Sequence, residues 1–139
     1  MENEKYILLT EDNPDDVTLT RIAFRKAGVA NRLDVVWDGV EAMEFLFGTG
    51  RYAGRDLTNK PAVILLDLKL PLLNGVQVLK AIRENVATKD IPVIVLTSSM
   101  EPSDQRACNH CGVNEYLQKP GSLSKFIEIV VHIKSVFLD

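Results

Sequence analysis

The chain has 139 residues, of which 46% are hydrophobic and 25% are charged, and its formal net charge at pH 7 is −3. This length suits a single domain, and the composition is too apolar for a disordered chain. A small negative charge gives no reason to expect nucleic acid or a membrane surface as a partner. No apolar run approaches the roughly 20 residues of a membrane-spanning helix. Two cysteines without an export signal predict a cytoplasmic protein with reduced thiols.

Apolar runs and helical stripes alternate along the chain in a regular order. Five runs predict strands, which cover residues 6–10, 33–37, 62–67, 93–96 and 113–117. Each is followed by a segment with helical spacing, and these helices start near residues 14, 40, 76, 101 and 122. Five repeats of strand and helix predict one doubly wound α/β domain with a five-stranded parallel sheet.

The third predicted strand has the most informative sequence. Residues 62–66 are apolar without alternation, which is typical of a strand buried on both faces of a parallel sheet. The strand ends abruptly on Asp67, at the edge where open α/β sheets place their ligands. This position indicates a functional carboxylate, although a single Asp at a strand end is about as often a turn former or a helix cap.

The segment 48–60 separates the second predicted helix from the third strand. It contains three glycines among mixed charges and shows no periodicity. We therefore predict a surface loop that is longer than most α/β connections.

Cys108 and Cys111 flank His110 in a pattern that suggests a zinc or redox fragment. Zinc needs four ligands, and the chain offers only one further histidine, His132, and no second cysteine pair. Gly112 places the cysteines at the C-terminal end of their helix, where the helix dipole disfavours a thiolate. We expect packing or surface thiols.

Four of the five predicted strands end in side chains that can act on a metal or a phosphate. They are Glu11 with Asp12, Asp67, Thr97 and Lys119. Because the ends of parallel strands meet at one edge, these side chains should converge. Three carboxylates suit Mg²⁺, while a lysine and a hydroxyl suit phosphoryl oxygens. With Asp67 as nucleophile, the set predicts phosphoryl transfer to a carboxylate.

These motifs resemble those of the response-regulator receiver domains of two-component signalling, over nearly the full length of the chain. The matching segments are Glu11-Asp12, the stretch from Asp67 to Gly75, Thr97-Ser98 and Lys119-Pro120. The resemblance implies a flavodoxin-like fold with strand order 2-1-3-4-5. It also implies a single receiver domain over residues 1–139, with no output domain.

The resemblance assigns the acidic residues to phosphoryl acceptance and metal binding. Asp67 matches the phosphoacceptor of the family, and Asp12 matches a direct Mg²⁺ ligand. Glu11 matches a neighbour that acts directly or through water. Lys69 matches the position whose backbone carbonyl binds the metal, so its side chain is not required there. The protein would be a phosphoacceptor switch rather than an enzyme, limited to its own phosphorylation and dephosphorylation.

The resemblance also implies a switch that senses the phosphoryl group. Thr97 and Lys119 match the sensing pair, and Tyr116 matches the aromatic residue that changes rotamer when Thr97 moves. The alternative for Tyr116 is a half-buried strand aromatic whose hydroxyl reaches water. Family members usually have a cis bond at the position of Lys119-Pro120, so a cis bond is expected here.

The implied partners are a sensor histidine kinase, as the phosphoryl donor, and a downstream protein or phosphotransfer protein. The long loop 48–60 resembles that of stand-alone regulators that serve bacterial phytochrome kinases. The sequence departs from common family patterns at Thr10, Lys69 and Gly121. Of these, Thr10 should slightly weaken burial of the first strand. The apolar tail 136–138 suggests a contact in a homodimer.

Two other function classes use similar folds. A Mg²⁺-dependent phosphatase or phosphotransferase with an aspartyl nucleophile, of the haloacid-dehalogenase type, needs a second Asp two residues after the first. Lys69 occupies that position here. A flavodoxin-like nucleotide binder needs a glycine-rich or hydroxyl-rich loop after the first strand, where this chain has the acidic segment 11–14. Both alternatives are disfavoured.

Overall fold

The computed structural model describes residues 5–139. Within this range the strands are β1 Ile7–Thr10, β2 Leu33–Val36, β3 Val63–Leu66, β4 Val93–Thr97 and β5 Glu115–Gln118. The α-helices are α1 Pro14–Lys26, α2 Gly39–Phe47, α3 Gly75–Glu84, α4 Pro102–His110 and α5 Leu123–Ile133. A short 3₁₀ helix, Gly50–Tyr52, follows α2, and a π-helical turn, Lys134–Leu138, follows α5.

All five strands are parallel and lie in the order β2-β1-β3-β4-β5. The helices cover both faces: α2, α3 and α4 contribute to one apolar cluster, and α1 and α5 contribute to the other. This arrangement confirms the predicted doubly wound sheet and its strand order.

Strand β3 lies at the centre of the sheet, and its four residues are fully buried. Ile64 and Leu66 point into one cluster while Val63 and Leu65 point into the other, which explains why the run shows no alternation. Thr10 at the end of neighbouring β1 is also fully buried, and its hydroxyl donates to the carbonyl of Leu65 at 3.1 Å. The expectation that Thr10 weakens burial of the first strand was therefore wrong.

Polar side chains fix the points at which the helices begin beside the sheet edge. Asn13 accepts a hydrogen bond from the backbone N–H of Asp15 and so caps α1. Asn74 and Gln77 form a reciprocal capping box at the start of α3. Because α1 and α3 follow the ends of β1 and β3, these caps set the course of the two loops that contain the acidic residues.

Two local predictions were wrong. Strand β5 begins at Glu115 instead of Val113, because the N–H of Val113 still closes the end of α4 on the carbonyl of Cys108. The Lys119–Pro120 bond is trans, since residues 5–139 contain no cis peptide bond. For an X–Pro bond the trans form is intrinsically favoured by about 0.5–1 kcal/mol.

The segment 48–60 lies on the surface and is held to the domain by side-chain contacts. The Tyr52 hydroxyl donates to Glu41 at 2.7 Å, and Arg51 forms an ion pair with Glu44. Arg55 donates to the carbonyl of Phe45 at 2.6 Å and stacks over its ring. The segment is therefore packed against α2, which its lack of periodicity did not predict.

Cys108 is fully buried near the end of α4, and burial raises the pKa of its thiol to about 11. Cys111 is half-buried at the C-cap of the same helix, and both thiols are free. The interpretation of Cys108 as a packing residue agrees with this placement. No helix within residues 5–139 combines the length and apolar character needed to cross a membrane.

Candidate functional site

The ends of β1, β3 and β5 bring the side chains of Glu11, Asp12, Asp67 and Lys119 together at one edge of the sheet, and Thr97 ends β4 at the same edge. Backbone hydrogen bonds fix these ends to one another: the N–H of Asp67 donates to the carbonyl of Thr10 at 3.3 Å. The N–H of Lys119 donates to the carbonyl of Thr97 at 2.8 Å. Convergence of these residues is thus a direct consequence of the parallel register.

The ammonium group of Lys119 is at the centre of the site. Its Nζ lies 2.7 Å from Glu11 Oε1, 2.9 Å from Asp67 Oδ2 and 2.9 Å from Asp16 Oδ2. Glu11 and Asp67 are 3% and 5% exposed, so both are removed from water. Two buried carboxylates next to one another are tolerated here because the lysine compensates their charge.

The protonation equilibria show how strongly these groups interact. Burial raises the pKa of Glu11 to about 7, although the hydrogen bond from Lys119 opposes the shift. Burial alone would lower the pKa of Lys119, but its hydrogen bonds to Glu11, Asp67 and Asp16 outweigh that effect and raise it. The lysine is therefore fully charged at neutral pH.

Three carboxylates are arranged so that they could hold a cation. Glu11, Asp12 and Asp67 each offer an oxygen, and these oxygens all lie within 4.8 Å of one another. Asp12 is exposed while the other two are buried, so the group opens toward solvent on one side. An all-oxygen set with one open side fits Mg²⁺, which prefers few carboxylates and keeps several waters.

The backbone around Asp67 is closely packed. The N–H of Lys69 donates to Asp67 Oδ1 at 3.1 Å, while the side chain of Lys69 is exposed. The N–H of Gly75 donates to the carbonyl of Leu68 at 2.9 Å. A Cβ at Gly75 would lie 2.6 Å from the Cα of Leu68, so only glycine allows α3 to begin this close to the acidic residue.

Thr97 and Tyr116 are linked through the loop that follows β4. The buried hydroxyl of Thr97 accepts a hydrogen bond from the N–H of Ser99 at 3.1 Å. The hydroxyl of Tyr116 donates to the carbonyl of Ser99 at 3.0 Å. Ser99 in turn donates its own hydroxyl to Asp104 in the first turn of α4, at 2.8 Å. Through Ser99 these hydrogen bonds connect Thr97 both to Tyr116 and to the first turn of α4.

Sequence reasoning missed Asp16, Ser99 and Asp104. Acids in the first turn of a helix are favoured by the helix dipole, which is a sufficient local explanation for Asp16. Ser99 and Asp104 lie around the polar start of α4, where nothing in the sequence indicates a partner for either side chain. The one sequence signal for Asp16 is its distance from β1. Because α1 begins soon after β1 ends, acids in the first turn of α1 lie beside the same edge of the sheet.

Comparison with known proteins gives consistent matches. The family model described as the response regulator receiver domain matches residues 7–131. Response regulator Rcp1 of Synechocystis sp. is 37% identical over 135 residues, which cover 97% of this chain and 90% of Rcp1.

Solved structures agree. The phosphorylated cyanobacterial phytochrome response regulator RcpA has a TM-score of 0.88 at 37% identity, with 98% of this chain and 95% of that chain covered. The Mn²⁺-bound form of Rcp1 has a TM-score of 0.86 at 37% identity, with 97% and 95% covered. Sequence, fold and the family model therefore agree that the chain belongs to the family of response regulator receiver domains.

Proposed function

We propose that this receiver domain accepts a phosphoryl group from a histidine kinase on Asp67 and signals through the resulting change in its protein contacts. The observation that supports this most strongly is the environment of Asp67. Its carboxylate is buried at the sheet edge, bonded to Lys119 at 2.9 Å and grouped with the oxygens of Glu11 and Asp12. This environment positions a nucleophile next to a cation and next to two further carboxylates that could share a metal ion with it.

In the proposed reaction an oxygen of Asp67 attacks the phosphorus of a phosphohistidine. The new P–O bond forms as the P–N bond breaks, and the imidazole leaves with the electron pair of that bond. Lys119 binds a phosphoryl oxygen, and the hydroxyl of Thr97 donates to another. The backbone N–H of Lys69 holds the carboxylate in orientation through its bond to Oδ1.

We propose Mg²⁺ as the cofactor. Glu11, Asp12, Asp67 and the backbone carbonyl of Lys69 would hold it, and when bound it would offset the charge of the incoming phosphoryl group. The chemistry of the donor set supports this, as does the Mn²⁺-bound form of the relative Rcp1. Apart from that charge, the residues of the chain orient the nucleophile and exclude water from it.

The output of the switch would pass through Tyr116. When the hydroxyl of Thr97 turns toward the phosphoryl group, it can no longer accept the N–H of Ser99 in the present geometry. The loop after β4 then moves, and it takes with it the carbonyl that holds Tyr116. A local change of charge would thus alter the surface formed by α4 and β5.

For partners, we propose a phytochrome-type sensor kinase and a downstream protein or phosphotransfer protein. The support is the similarity to Rcp1 and to the phytochrome response regulator RcpA, each covered almost completely by the match. The same coverage supports action as a single receiver domain. The proposed role is that of a switch whose only reactions are its own phosphorylation and dephosphorylation.

We also propose that the protein self-associates through two exposed valines, one in α5 and one in the π-helical turn that follows it. Leu138 is buried against the core of its own domain, so the tail is less available than its sequence suggests. Val131 and Val136 are 51% and 54% exposed. A V131S/V136S double variant should sediment with less dimer than the original protein. An equal monomer–dimer balance would contradict this contact.

Acetyl phosphate provides a test of phosphoryl acceptance that needs no kinase. We expect the protein to gain the mass of one phosphoryl group in the presence of Mg²⁺, and to gain none after chelation with EDTA. The Asp67→Asn variant should gain none under either condition, since an amide is not a nucleophile for this reaction. Phosphorylation of Asp67→Asn to the extent seen in the original protein would refute the proposed acceptor.

A further inference from the structure

Asp16 is the one residue bonded to Lys119 for which the proposed reaction has no use. It lies in the first turn of α1, and its Oδ2 accepts a hydrogen bond from Lys119 Nζ at 2.9 Å across 103 positions of sequence. Its side chain is 35% exposed, against 21% for that of Lys119. Asp16 does not belong to the group of acids whose oxygens could share a cation.

The number of hydrogen-bond donors on Lys119 makes this contact important. Of the three N–H donors of the ammonium group, two are hydrogen-bonded to Asp16 and Asp67, and Glu11 Oε1 lies 2.7 Å from Nζ as an ion pair. A phosphoryl oxygen that approaches Lys119 therefore competes with three carboxylates that already surround Nζ at 2.7 to 2.9 Å.

The three contacts of the ammonium group are not equally suited to exchange. Asp67 is the residue that would be phosphorylated, so its oxygen changes character in the reaction. Glu11 is a ligand of the proposed metal, which would draw its oxygens away from the lysine. Asp16 has neither role, and its backbone is fixed in a capped helix. It can hold the ammonium group before and after phosphorylation alike.

We infer that Asp16 is a positioning residue, which keeps Lys119 beside Asp67 while the lysine exchanges its bond to the Asp67 carboxylate for one to the phosphoryl group. This inference rests on the proposed function. Lysine has a long flexible side chain, and without Asp16 its ammonium group would be held only by the two acids whose bonds change in the reaction. The lysine would then reach the phosphoryl group in fewer of its conformations.

The test compares maximal rates of phosphorylation at saturating acetyl phosphate with Mg²⁺. We expect Asp16→Ala to be slower by about tenfold, which is less than the loss on removing a charge-stabilising donor outright. Asp16→Asn keeps an acceptor oxygen in the same place and should remain within about twofold of the original protein. The matched control is Asp15→Ala, which removes the same charge from the same helical turn at an exposed side chain and should leave the rate unchanged.

Each contrary result has a defined meaning. An Asp16→Ala variant as fast as the original protein, or faster, would overturn the inference. An Asp16→Asn variant as slow as Asp16→Ala would also overturn it, because the acceptor oxygen would then not be the decisive feature. In both cases phosphorylation of the original protein at Asp67 would leave the proposed function intact, whereas its absence would refute that function itself.

Discussion

The Lys119→Met variant should lose about 2 to 4 kcal/mol of its free energy of unfolding at pH 8 without divalent metal. Methionine keeps the length of the stem but removes the charge that compensates Glu11 and Asp67, which are almost completely buried. Urea denaturation measures the loss. The matched control is Lys69→Met, which removes an exposed lysine two residues from Asp67 and should change stability by less than about 0.5 kcal/mol.

The loss in Lys119→Met should depend on pH. Burial already raises the pKa of Glu11 to about 7 beside the lysine, and without that cation the pKa should rise further. A carboxyl group whose pKa is higher in the folded than in the unfolded chain favours folding at low pH, and this contribution is lost as pH rises through the folded value. The difference from the original protein should therefore shrink as pH falls from 8 to 5. A difference that grows as the pH is lowered would contradict this view of the site.

The Gly75→Ala variant should be destabilised by about 2 kcal/mol and should accept phosphoryl groups more slowly. The added methyl group would clash with the carbonyl oxygen of Asp67 and would lie 2.6 Å from the Cα of Leu68. Both are backbone atoms. They can yield only if the chain carrying the Asp67 carboxylate shifts. The gain in helix propensity at the start of α3, at most about 1 kcal/mol, offsets part of the clash.

Gly121→Ala is the control for this prediction. No atom lies within 4 Å of a Cβ at Gly121, and its backbone is not in the left-handed region. We expect its free energy of unfolding to be unchanged or higher by up to about 1 kcal/mol, since alanine restricts the unfolded chain. Urea denaturation measures both free energies of unfolding. If the two variants lost the same free energy of unfolding, the close packing of Gly75 against the backbone of Asp67 would not be the reason for the loss in Gly75→Ala.

The fold could be predicted because its signals are local and repeated. Buried parallel strands show as short apolar runs, and glycines and capping residues mark where the helices end and begin. The positions of Glu11, Asp67, Thr97 and Lys119 followed from the same pattern, because parallel strands bring their ends to one edge. Each of these residues was identified by its place after a strand.

Long-range polar contacts had no comparable signal. Asp16 already had a local explanation at a helix start, so its bond to Lys119 could not be inferred. Arg83 on α3 donates hydrogen bonds to the carbonyls of Lys89, Ile91 and Gly112. From the sequence alone, a charged residue in an amphipathic helix would be expected to point into solvent. Hydrogen bonds to backbone carbonyls do not depend on the type of the accepting residue, so no sequence pattern predicts them. They can be identified only once the positions of the loops are known.

Chemical identification of the modified residue would show whether Asp67 is the phosphoryl acceptor. Sodium borohydride reduces an aspartyl phosphate to homoserine, which tandem mass spectrometry of the peptides can locate. After treatment with acetyl phosphate and Mg²⁺, we expect homoserine at position 67 and at no other aspartate. Homoserine at position 12 or 16, or an unreduced Asp67 in protein that had gained one phosphoryl group, would contradict the assignment.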